Sequence, residues 1–69
     1  MERETERIIE NLRAIRIEKE ISILNLAMEV GISHSHLYYI ESKRVTPSID
    51  LIVKITKALD VNLKEILEL

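Results

Sequence analysis

His34, Ser35 and His36 are consecutive, Tyr38 and Tyr39 follow almost at once, and Lys43 and Arg44 come a few positions later. Three kinds of chemistry are open to such a cluster. A pair of His can hold a metal ion, but residues two apart on a helix point about 200° apart, so His34 and His36 do not both reach one ion. A Ser beside a His can act as a nucleophile, but nothing nearby supplies a carboxylate to orient the imidazole or an oxyanion hole. The chain therefore reads as having no catalytic residue, no metal site and no cofactor. What remains is recognition through hydroxyls, imidazoles, phenols and two cations. Tyr38 and Tyr39 are the only aromatic residues in the chain. They are either ordinary half-buried surface rings or part of a contact face, and their place on this polar stretch favours contact. Lys43 and Arg44 are either a solvated loop pair or holders of an anion.

A contact face needs a rigid support, and residues 22–41 have the pattern of a helix-turn-helix. Leu26, Ala27 and Val30 share one helical face. Ser22 and Ser33 each precede a helical run, with hydroxyls suited to cap its first turn. Gly31 directly after Val30 ends the first run in the left-handed conformation that Gly adopts without steric cost. Ile32 before the cap and Leu37 after it form a hydrophobic staple that stiffens the turn. Leu37 and Ile40 then face inward, leaving His34, Ser35, Tyr38 and Tyr39 directed largely away from the core.

The rest of the chain supplies three more helices, so that five are expected near residues 5–19, 22–30, 33–42, 48–59 and 62–67. In the first, Ile8, Leu12 and Ile15 recur at helical spacing, while Ile9 and Ile17 fall off that stripe and are expected to be partly exposed or under a neighbouring loop. Ser42 to Pro47 loses periodicity and forms a loop. Ser48 caps the fourth helix, with Ile49, Ile52, Ile55, Thr56 and Leu59 on its inner side. Asp60 stands at its end, and Asp tolerates the left-handed region better than most residues. Asn62 to Glu65 has the form of a capping box, stapled by Val61 and Ile66. The fold class is all-α, a compact five-helix domain spanning residues 1–69.

Composition narrows the context. The chain has 69 residues, which is one small core and leaves no room for a second domain. Without Cys there is no disulfide framework and no thiolate metal site, as suits a reducing cytoplasm. The charged N-terminal stretch is unlike a signal peptide, and no apolar run approaches the roughly 20 residues of a membrane span. The net charge of −2 argues against a globally basic nucleic-acid binder. Its distribution argues the other way, because acids concentrate before Ile21 whereas residues 31–47 carry Lys43, Arg44, His34 and His36 against only Glu41. Leu51 sits off the fourth helix's stripe, and with Leu63, Leu67 and Leu69 it makes more apolar surface than a short terminal helix can bury, so a dimer interface is expected there.

Across residues 8–67 the chain resembles the Cro and lambda-repressor type of helix-turn-helix family. The resemblance is carried by Arg16, Ser22, Leu26-Ala27, Val30-Gly31-Ile32-Ser33, Leu37, Ile40-Glu41, Pro47-Ser48 and Lys57-Ala58-Leu59-Asp60-Val61. It implies a lambda-repressor-like DNA-binding domain whose third helix lies in the major groove, with Ser33, His34, Ser35, Tyr38 and Tyr39 at base edges. It implies phosphate contacts from Ser22, Ile23, Ser42, Lys43 and Arg44, and an Arg16–Glu41 ion pair between helices one and three. There are departures. A Gln usual in helix two is Ile23 here, which can touch a thymine methyl or pack against a partner, and a neighbouring acidic position is Leu24. A loop Gly is Lys43, which adds charge and strains the turn, and the Gly after helix four is Asp60. Two functions follow as expectations. One is a homodimeric regulator of transcription, a repressor or small controller protein in the cytoplasm, bound to a palindromic double-stranded operator without a small-molecule ligand. The other is a helical protein-interaction module, antitoxin-like, that keeps the fold but not the DNA face.

Overall fold

A computed structural model describes residues 2–68. They form α1 (Arg3–Glu18), α2 (Ile23–Val30), α3 (His34–Glu41), α4 (Ile49–Ala58) and α5 (Leu63–Glu68), with no strand among them. Four helices begin on the capping residues expected. The hydroxyls of Ser22, Ser33 and Ser48 accept from the N–H groups of Asn25, His36 and Leu51 at 3.0, 3.0 and 3.1 Å. Asn62 Oδ1 accepts from the Glu65 N–H at 2.8 Å, and Asn62 Nδ2 donates to Glu65 Oε1 at 2.9 Å.

The helix ends share one device. After α1, α2, α3 and α4 the chain takes a left-handed residue: Glu20 at φ 59°, Gly31 at 80°, Lys43 at 66° and Asp60 at 57°. In each case the next residue's N–H reaches back five positions, as from Ile21 to Arg16 and from Ile32 to Ala27. This closes the otherwise unpaired carbonyls of the last turn. Only one of the four left-handed positions is Gly, so the other three hold a side chain in a disfavoured region. Glu20→Gly is therefore expected to stabilise the protein by about 0.5 to 1 kcal/mol, the relief of left-handed strain less the added freedom of the unfolded chain. A urea midpoint that does not rise would contradict this.

The helices bury one apolar cluster, in which α2 lies against α3 and α4, and α1 against α3 and α5. Leu12, Leu26, Ala27, Val30, Leu37, Ile40, Ile52, Ile55, Leu59 and Ile66 are buried in it, as are Ile9 and Leu51. Three placements differ from expectation. Ile9 is 1% exposed, whereas Ile8 and Ile15 are only partly buried, so the inner face of α1 runs through Ile9, Leu12 and Arg16. An Ile at both position 8 and position 9 lets either stripe form, and the neighbours of α1 select one. Leu51, expected off the stripe at a dimer surface, belongs to the domain's own core, while Ile49, expected inside, is 74% exposed. Ile49 is the first residue of α4, and the buried face of that helix runs instead through Leu51, Ile52, Ile55 and Thr56. Ile17 is exposed, and Leu69 falls outside the described residues.

Candidate nucleic-acid interface

α3 is held on one side and open on the other. Leu37 and Ile40 are its only buried residues, while Ser33, His34, Ser35, His36, Tyr38 and Tyr39 are all exposed. Ser33 is committed as the cap through its oxygen, which leaves its hydroxyl proton for an outside acceptor. The two Tyr rings meet edge to face, with centroids 5.7 Å apart and planes at 64°. The Arg44 guanidinium lies 5.7 Å from the centre of the Tyr39 ring, a cation–π arrangement. The Tyr39 carbonyl accepts from the N–H groups of Arg44 and Val45 and from the Ser42 hydroxyl at 3.3 Å. The loop after α3 is thus folded back onto the helix, and Ser42, Lys43 and Arg44 stand at its end.

The angle of α3 is set by Arg16 and Glu41. Arg16 Nε donates to Glu41 Oε2 at 2.7 Å and its Nη2 donates to Oε1 at 2.8 Å, a bidentate pair. Arg16 Nη1 donates to the Ile21 carbonyl at 2.8 Å, so one guanidinium joins α1, the α1–α2 turn and α3. Both side chains are about nine-tenths buried. Arg13 Nε lies 3.9 Å from Glu41 but is largely exposed.

At the start of α2, Ser22 is a cap and Ile23 is half-buried, its side chain packed against the core. The first-turn N–H groups of Ile23 and Leu24 have no partner within the helix, which is the usual state of helix starts and suits an anion. Ile23 shares an open groove of about 510 Å³ with Ser42 and Lys43, lined also by Glu10, Arg13 and Tyr38. The structure thus gathers the start of α2, the outer edge of α3 and the loop after it along one side. Two residues of this groove were not singled out in the sequence. Glu10 forms an ion pair with Lys43, and Arg13 stands beside it. The hydrogen bond to Glu10 pushes the Lys43 pKa above its usual value; desolvation opposes this, and the Glu10 and Glu6 charges add to the rise. Thirty-three positions separate the pair, so local pattern holds no sign of it.

Two capped helices, a left-handed Gly between them and a second helix with a free outer face form the motif, and residues 12–66 match a helix-turn-helix family over most of the chain. The chain belongs to the Cro and lambda-repressor type of helix-turn-helix family. Its members are DNA-binding regulators, generally without enzymatic activity. Neither curated proteins nor solved structures give a match to this chain. Within this helix-turn-helix domain, α2 and α3 are the two helices of the motif, and α1, α4 and α5 are the support. No helix among the described residues is long and apolar enough to cross a membrane.

Proposed function

We propose that this helix-turn-helix domain binds double-stranded DNA with sequence preference and regulates transcription as a homodimeric repressor or small controller protein in the cytoplasm, with α3 in the major groove of a palindromic operator. The observation that carries this reading is the two-sidedness of α3, which is buried through Leu37 and Ile40 while its exposed face presents His34, Ser35, Tyr38 and Tyr39. Hydroxyls, imidazoles and phenols suit base edges, where donors and acceptors identify each pair. Ile23, Ser42 and Lys43 line one groove, and these, with their chain neighbours Ser22 and Arg44, are the phosphate holders in this reading. Dimerisation draws on Leu63 and Leu67, which are 39% and 52% exposed on the last helix. A twofold pair would set two reading helices about 34 Å apart, one turn of DNA.

Binding of a mixed-sequence duplex, followed by gel shift over a series of salt concentrations, tests this reading, since phosphate contacts must weaken as counterions compete. Tyr38→Ala is expected to relax preference at particular base pairs at a cost of about 1 to 3 kcal/mol. Arg44→Ala is expected to weaken every sequence about equally and to make the log–log salt slope shallower by roughly one. Identical preference profiles and salt slopes for the two variants would remove α3 from the groove. Sedimentation equilibrium is expected to show dimer at high micromolar protein, and monomer alone, with and without DNA, would defeat the twofold arrangement.

A second reading, a partner-binding helical module, is favoured by Leu24 and Met28, which are 53% and 70% exposed on the outer side of α2. A chain that captures no duplex at any salt concentration would support it.

A further inference from the structure

Lys43 is a cation that another part of the chain has already engaged. It sits on the loop after α3, at φ 66°, and its ammonium pairs with the Glu10 carboxylate on α1. Both side chains remain accessible to water, so the pair is weak and readily exchanged. The other acid of the groove, Glu41, is committed to Arg16. When Glu10 turns away, the groove therefore exposes two cations, Arg13 and Lys43, beside the Ser42 hydroxyl and the start of α2. A phosphodiester presents the same charge and the same oxygen acceptors to Lys43 as the carboxylate does.

Resting on the DNA-binding reading above, we propose that Glu10 is an intramolecular competitor that occupies Lys43 in place of a DNA phosphate and must be displaced when the duplex docks. Glu10 thereby lowers affinity for all sequences alike and leaves base preference to α3. The Glu6 charge, which also raises the Lys43 pKa, acts in the same sense.

The test measures binding of a mixed-sequence duplex to the intact chain carrying Glu10→Gln, Lys43→Gln, both together, or Glu18→Gln as a control with the same charge change. Glu18 lies eight positions further along α1, roughly 12 Å away, which is beyond the Debye length of about 10 Å at 0.1 M salt. Glu10→Gln is expected to tighten binding about three- to tenfold at about 0.1 M salt and to steepen the log–log salt slope by about one, because a freed ammonium neutralises one further phosphate. Glu18→Gln is expected to change affinity by less than about twofold. Adding Glu10→Gln to Lys43→Gln is expected to do as little, because the ammonium that Glu10 holds is then gone. An equal gain from Glu18→Gln, or a gain that persists without Lys43, would reduce the effect to net charge and overturn the proposal. Weaker binding by Glu10→Gln would make the ion pair a support of the DNA-bound loop and would overturn it too. Salt-dependent binding by the parent with no gain from Glu10→Gln defeats only the role of Glu10, whereas a parent that binds no duplex at low salt defeats this proposal and the DNA-binding reading together.

Discussion

Replacing Arg16 by Met is expected to lower the unfolding free energy by about 3 kcal/mol, in a domain whose length implies a total of only about 4 to 10 kcal/mol. The loss comes less from the missing attraction than from what is left behind. Glu41 keeps a carboxylate that is nine-tenths buried, and the Ile21 carbonyl loses its donor. Arg13 at 3.9 Å still offers partial neutralisation from an exposed position, which sets the expectation at the low end of the range for broken buried pairs. The second replacement separates these causes. Arg16→Met with Glu41→Leu removes both charges and fills similar volume, so most of the lost stability should return. Urea titration of the parent, both single variants and the double variant completes the cycle, and a double variant as unstable as the summed singles would show that the two residues are not coupled. In the DNA-binding reading, the double variant should also bind duplex less selectively, because the buried polar tie between α1 and the C-terminal end of α3 is gone and the water-accessible Glu10–Lys43 pair is left to link α1 to the loop after it.

Leu37→Ala is expected to cost about 2 to 5 kcal/mol. Leu37 is 1% exposed, and the core around it, between Ile9, Leu26, Ile40 and Ile55, leaves a void of only about 10 Å³. Packing this tight does not collapse easily onto a smaller side chain, so the transfer term and the cavity term both apply. The loss also falls on the element least able to bear it. α3 has eight residues and only two buried ones, so it is marginal as an isolated helix and depends on its seat. Amide exchange in α3 should rise together with the fall in the urea midpoint. A variant as stable as the parent would mean that Leu37 does not anchor α3.

Local signals in the chain determined most of the architecture. Ser22, Ser33, Ser48 and Asn62 each mark a helix start, because a cap is an interaction between residues three apart and needs no tertiary partner. Gly31 marks the turn of the motif for the same reason. The outward position of His34, Ser35, Tyr38 and Tyr39 follows once Leu37 and Ile40 are assigned inward, since helical period alone relates them. Tertiary structure decided the rotation of α1 and α4. Ile8 and Ile9 are equally apolar, as are Ile49 and Leu51, and which of each pair is buried depends on where α3, α5 and α2 lie. It also decided the fate of the charges. Nothing within a few positions of Lys43 indicates that Glu10 will meet it, because that contact exists only after α1 packs beside α3. Hydrogen bonds and caps close over a few residues and can be read in order, whereas burial and ion pairing depend on distances that only the packed helices define.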